Sequence, residues 1–269
     1  MMKEKIVIMM LAIIMVLTAC SQSDIPNNEN NKKGQWENQS EKNLDKTIDL
    51  VFTPVSAEKI KEGYPKKDWT EEKRIHFEKL SGQIEATIHL YVDTNTDMGE
   101  QNGRTIYAFL EHEGSLYEIG NVSNYGIEDV HVELVDRTFD GIKEIEIVGG
   151  MGSTYLEMKI IGYNENSKQW ASLLVMGSPQ IVDLDEDGQE EIVGISTGSL
   201  PGFVEVYRWD QDHFEKADIA DTTDNTYANL YQQEGKWIIE SGKWENGKIE
   251  DRKFYRYTSG RLIEQVMKR

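Results

Sequence analysis

Hydrophobic and polar positions divide the chain into four kinds of stretch. Ile6 to Val16 is an unbroken apolar run, too short for a bilayer-spanning helix, which takes about 20 residues. Residues 21–45 are rich in Asn, Ser, Gln, Glu and Lys, with Ile25, Trp36 and Leu44 as the only sizeable apolar side chains. Such a segment cannot bury enough surface to offset its ordering entropy, so 20–46 is expected to be a disordered tether. Thr47 to Phe52 alternates weakly and predicts a strand. Ser56–Glu62 and Asp68–Leu80 predict helices, making 47–83 a mixed strand and helix segment. In the second helix Asp68 or Thr70 caps, Glu71 and Glu72 occupy the first turn, and Ile75, Phe77 and Leu80 are the apolar positions. From Ile84 onward, short apolar alternations broken by Gly, Asn and Asp predict antiparallel β structure through 269.

Within 84–269 the strands are placed at Glu144–Val148, Tyr155–Tyr163, Trp170–Met176, Glu191–Ser196, Phe203–Trp209 and His213–Ala217. Two hairpins follow, Tyr227–Gln232 with Trp237–Ser241 and Lys253–Thr258 with Arg261–Val266. Turns are expected at Asn164-Glu165-Asn166, Asp210-Gln211-Asp212, Glu234-Gly235 and Ser259-Gly260. The region also repeats. Ile181-Val182-Asp183-x-Asp185-x-Asp187-Gly188-x-x-Glu191-Ile192 aligns with Leu134-Val135-Asp136-x-Thr138-x-Asp140-Gly141-x-x-Glu144-Ile145, an offset of 47 residues (183 − 136). Tyr91-Val92-Asp93-x-Asn95-x-Asp97 aligns 43 residues further upstream (136 − 93). A period of about 40–50 residues with four short strands is that of a propeller blade, and about 220 residues hold roughly four or five.

The chemistry concentrates in the third copy. Asp183, Asp185, Asp187 and Glu191 stand at positions 1, 3, 5 and 9 of a loop, with Gly188 at position 6. Alternating carboxylates in a tight loop can converge on one point, and the glycine supplies the backbone conformation that wraps it. With the Gln189 carbonyl they offer hard oxygen donors, the set that suits Ca²⁺. An EF-hand needs a glutamate at position 12, where this chain has Gly194. The whole pattern instead resembles the calcium loop of FG-GAP/VCBS repeats, the blade units of integrin-type β-propellers. That resemblance implies a mainly β, antiparallel propeller-like domain, closed or irregular, with structural Ca²⁺ at Asp183, Asp185, Asp187, Gln189 and Glu191. Asp136, Asp140 and Glu144 form a weaker candidate, because Thr138 replaces an aspartate. The Asp93 copy lacks the acid at position 9.

The apolar run gains meaning from its flanks. Lys3 and Lys5 precede it, and Leu17-Thr18-Ala19-Cys20 follows with the only cysteine of the chain. A charged start, an apolar core and a small-residue cleavage site read as a secretory signal peptide over 1–19. Leu-x-Ala-Cys resembles the lipobox of bacterial lipoproteins. By that resemblance Cys20 becomes a diacylglycerol-bearing N-terminus, and the chain sits on the extracytoplasmic face of a cell membrane.

Charge narrows the partners. There are 29 Lys+Arg against 48 Asp+Glu, a net charge of −19, and about −20 after loss of Lys3, Glu4 and Lys5. That argues against nucleic acid and fits a divalent cation or a basic partner. His76, His89, His112, His131 and His213 show no ligand-like spacing, and His89 and Asp93 are expected on one exposed strand face. No nucleophile elbow, phosphate loop or zinc-protease motif occurs. The 6 Trp and 12 Tyr are expected to pack between sheets rather than form a glycan platform. Gly149-Gly150-Met151-Gly152-Ser153 and Ser196 to Gly202 are expected as equivalent loops, so Gly149, Gly150, Gly152, Gly198 and Gly202 mark a candidate binding face. The expectation is a monomeric, lipid-anchored, non-catalytic module that binds an envelope protein or glycan. An envelope hydrolase acting on glycan or phosphoester is the alternative.

Overall fold

The computed structural model describes residues 46–80, 84–93, 104–196, 198 and 201–266. The leader, Cys20, the tether up to residue 45, Asn95 and Asp97 lie outside them. Among the described residues there are nineteen strands. They are β1 (Thr47–Asp49), β2 (Thr53–Pro54), β3 (Glu58–Lys59), β4 (Thr70–Phe77), β5 (Ala86–Val92), β6 (Ile106–His112), β7 (Ser115–Ser123), β8 (Val130–Val135), β9 (Glu144–Gly152) and β10 (Tyr155–Asn164). The rest are β11 (Gln169–Gly177), β12 (Pro179–Val182), β13 (Glu191–Ile195), β14 (Val204–Asp210), β15 (His213–Asp218), β16 (Tyr227–Gln233), β17 (Lys236–Glu245), β18 (Lys248–Thr258) and β19 (Arg261–Gln265). Helix is confined, among the described residues, to a 3₁₀ turn at Ile127–Asp129 and the four-residue α1 (Ile219–Thr222).

Pairing is antiparallel throughout and follows chain order. Sheet I is β4-β5-β6-β7, sheet II β8 to β11, sheet III β12 to β15 and sheet IV β16 to β19; none closes on itself. Alternation along each strand sends side chains to both faces, and both faces of the inner sheets are apolar. Ile88, Leu90 and Leu110 of sheet I meet Ile145, Ile147 and Ile161 of sheet II. Met158, Ile160 and Met176 of sheet II meet Ile192, Tyr207 and Phe214 of sheet III. Val193, Val204 and Val206 of sheet III meet Leu230, Ile239 and Tyr255 of sheet IV. Adjacent residues Ile192 and Val193 thus serve different cores.

The segment before β4 is extended and β4 itself occupies most of Asp68–Leu80, which corrects both predicted helices. β1 pairs with β19, β2 with β15 and β3 with β11, and Glu62 bridges to Tyr117 on β7. The segment therefore crosses the last strand of each sheet in the order IV, III, II, I. Backbone bonds Leu50 N–H to Gly260 O (2.9 Å), Val55 to Phe214 (2.7 Å) and Ile60 to Trp170 (3.0 Å) fasten it. Four exposed edges would each present a row of unpaired donors and acceptors, and saturating them outweighs the weak helical preference of residues 56–62. In Thr70–Phe77 the half-buried apolar positions are Ile75 and Phe77, two apart, and pairing with β5 enforces a period of 2. Sheet I accordingly begins before residue 84.

Candidate functional site

The loops after the first strands of sheets II and III fold alike. In the loop that joins β12 to β13, Asp183 Oδ2 accepts from Gly188 N–H (3.0 Å), Asp187 Oδ1 from Gln189 N–H (2.7 Å) and Glu191 Oε2 from Leu184 N–H (2.8 Å). In the loop that joins β8 to β9, Asp136 Oδ2 accepts from Gly141 N–H (2.9 Å), Asp140 Oδ1 from Ile142 N–H (2.7 Å) and Glu144 Oε2 from Arg137 N–H (2.8 Å). Position 4 is left-handed in both, Glu186 at φ 64° and Phe139 at 57°; so is position 6, Gly188 at 91° and Gly141 at 84°. The third candidate is placed differently. Asp93 follows β5, the second strand of its sheet, and its N–H is bonded to Thr105 O (3.1 Å).

Among the described residues, only the 183–191 loop gathers three carboxylates. Asp183, Asp185 and Glu191 each place an oxygen within 4.8 Å of the others, all half-buried. Asp187 is not in that group. Asp185 Oδ2 accepts from Ser259 N–H at 2.8 Å, tying the loop to the β18–β19 turn of sheet IV, while Asp185 Oδ1 is buried without a hydrogen-bond partner. Burial pushes the Glu191 carboxyl up to about 7, with Asp185 and Asp187 adding to the rise and the Leu184 bond opposing it. Tyr257, on the neighbouring β18, is pushed up to about 12 by burial and by the Glu191 carboxylate. These are the marks of donors gathered with less neutralisation than their charge requires.

In the 136–144 loop, Thr138 Oγ1 donates to Glu144 Oε1 at 3.1 Å, so a hydroxyl replaces the carboxylate of Asp185. Burial also raises Glu144 to about 7, with the Asp136 and Asp140 charges adding to the rise and bonds from Arg137 and Thr138 opposing it. Asp136 Oδ1 is buried without a partner. Arg137 links the two loops, donating to Glu146 (2.8 Å) and lying 3.6 Å from Glu190. Between them is a pocket of about 200 Å³ lined by Arg137, Phe139, Glu190, Glu191, Arg208 and Tyr257, among others.

The candidate glycine face is divided between roles. Gly149 and Gly150 are buried residues of β9, so the first stretch is strand rather than loop. A Cβ on Gly149 would lie 1.9 Å from Val122 O on β7, and one on Gly202 would lie 2.9 Å from Ala228 O on β16. Both glycines permit close sheet-to-sheet approach. Gly150 and Gly152 lie beside exposed aromatics: their added Cβ atoms would meet Tyr125 at 3.3 Å and Tyr155 at 3.2 Å. Tyr125, Tyr155 and Leu156 are 39%, 44% and 45% exposed. Gly198 is exposed.

His89 and Asp93 are buried, contrary to the sequence reading. His89 lies on the face of sheet I away from sheet II, with Nδ1 2.7 Å from Glu71 and Nε2 2.8 Å from Glu111. The Arg74 guanidinium, with His89, holds the Glu71 carboxyl down at about 2. Comparison of the chain with protein-family models, curated proteins and solved structures finds no match.

Proposed function

We propose that this chain is a lipid-anchored extracytoplasmic module with a propeller-like domain, held by Ca²⁺ at the 183–191 loop, and that it binds rather than transforms its partner. The observation that carries the calcium reading is the convergence of Asp183, Asp185 and Glu191 oxygens around a partnerless Asp185 Oδ1. The donor set fits the ion: all are hard oxygens, and burial pushes the Glu191 carboxyl up to about 7, so positive charge nearby favours its ionised form. A bound Ca²⁺ supplies that charge. Asp183 and Asp187 meanwhile shape the loop through their backbone bonds, and Asp185 joins it to sheet IV. Four successive sheets, each built on four strands consecutive in the chain, support the propeller-like, FG-GAP/VCBS-type reading. The exposed Tyr125, Tyr155 and Leu156 beside Gly150 and Gly152 support a shallow binding surface for an envelope protein or glycan. Anchoring rests on the Leu17-Thr18-Ala19-Cys20 motif.

Calcium calorimetry on the full chain tests the reading. One site of Kd about 10⁻⁴–10⁻³ M is expected, weakened at least tenfold by Asp183→Asn; unchanged binding in that variant overturns the assignment. A second reading, the envelope hydrolase, has one observation in its favour: Glu191, with its raised pKa, lines the pocket with Arg137 and Arg208. Glycan or phosphoester hydrolysis lost in Glu191→Gln would favour it.

A further inference from the structure

The β14–β15 hairpin carries a donor group outside the acidic loops. Asp210 and His213 are register partners across the turn, and Glu215 lies two residues beyond His213 on the same strand face. One oxygen each of Asp210 and Glu215 and one ring nitrogen of His213 lie within 4.8 Å of one another, the three residues half-buried. Two residues outside this trio orient it. Asp212 Oδ1 is 2.9 Å from His213 Nδ1, so it accepts a hydrogen bond from Nδ1–H in the tautomer that leaves the Nε2 lone pair free. Arg208 donates from Nε (3.0 Å) and Nη2 (2.7 Å) to Glu215 Oε2, leaving Oε1 3.9 Å from His213 Nε2. Arg208 is itself seated over the Phe52 ring, 3.8 Å from its centroid.

We propose that Asp210, His213 and Glu215 form a binding site for a first-row divalent transition metal, with Zn²⁺ as its probe. An imidazole nitrogen with two carboxylate oxygens is a donor set for Zn²⁺ or its neighbours, whereas Ca²⁺ takes oxygen alone. Two donors about 2.1 Å from one tetrahedral ion lie roughly 3.4 Å apart, so Nε2 and Oε1, at 3.9 Å, would close by roughly half an ångström on binding. The Asp212–His213 and Arg208–Glu215 bonds are the outer contacts that orient ligands in such sites. Solvent completes the coordination. The ion would also clamp the hairpin on which the N-terminal segment lies, since Glu215 is the register partner of Pro54.

The test is Zn²⁺ calorimetry and Co²⁺ absorption on the full chain carrying Cys20→Ser, which removes its only thiol. One Zn²⁺ equivalent is expected that excess Ca²⁺ does not displace. His213→Gln and Glu215→Gln should each weaken it at least tenfold and abolish the visible Co²⁺ bands; Asp185→Ala/Asp187→Ala should leave both intact. Metal-free melting curves matching the parent's show that the variants fold. No Zn²⁺ binding in the parent, or binding that His213→Gln leaves unchanged, overturns the site. Loss only in the Asp185/Asp187 variant reassigns the ion to the acidic loop and equally overturns it.

Discussion

At the residue scale, the two position-9 glutamates set the pH behaviour of the metal-free chain. Glu144 and Glu191 have ordinary values of 4.5 and folded values of about 7. Their neutral forms favour the fold, so that contribution is complete below about 4.5 and is lost as pH rises through about 7. Glu144→Gln is therefore expected to raise the metal-free melting temperature at pH 8 and to change it little at pH 4.5, which thermal scans in EGTA would check. An equal shift at both values would assign the effect to lost hydrogen bonds. The loop residues themselves were legible in the sequence, because carboxylate spacing and Gly188 are local properties. The Asp93 copy was misplaced since a few polar residues do not fix which strand they follow. His89 was taken as exposed because its partners, Glu71 and Glu111, are 18 and 22 residues away.

At the element scale, hairpins were readable and the N-terminal segment only in part: the strand expected from Thr47 is met by β1 (Thr47–Asp49), the helix at 56–62 is not. Asn164-Glu165-Asn166, Asp210-Gln211-Asp212, Glu234-Gly235 and Ser259-Gly260 all fall at turns between paired strands. Asn246-Gly247, not among the expected turns, marks the β17–β18 turn, which joins strands longer than expected. The same register logic places His213 opposite Asp210, a grouping invisible to linear spacing. Residues 46–63 contain no such signal, since their conformation is imposed by the edges of β19, β15, β11 and β7. Leu50 is 8% exposed within the sheet III–IV core. Leu50→Ala is expected to destabilise by about 2–3 kcal/mol, read from a urea midpoint shift at constant m. A change below about 0.5 kcal/mol would mean that this segment contributes little to the core.

Gly149 sits at the seam between sheets I and II. Gly149→Ala forces a methyl toward Val122 O, and a loss of about 3 kcal/mol is expected. Gly152→Ala, where the nearest contact is the Tyr155 side chain at 3.2 Å, should cost less. Comparing the two melting temperatures separates a packing role at the seam from a general loss of strand flexibility.

At the scale of the molecule, four sheets stack in chain order through three apolar cores, and the acidic loops sit where sheets II, III and IV meet. Arg137 reaches Glu190 across the first junction, and Asp185 reaches Ser259 across the second. Calcium at 183–191 would therefore stiffen the union of sheets rather than one loop alone. The mainly β class followed from period-2 alternation in the sequence. The order of sheets along the N-terminal segment did not, because contacts between residues from 55 (117 − 62) to 216 (263 − 47) apart leave no periodic trace. The most direct measurement is the melting temperature of the full chain in EGTA, Ca²⁺ or Mg²⁺ at pH 8, beside Asp185→Ala/Asp187→Ala. The expected result is a rise with Ca²⁺ that grows with its concentration, a much smaller rise with Mg²⁺, and neither in the variant. Identical melting in Ca²⁺ and EGTA for the parent would contradict a calcium-held domain.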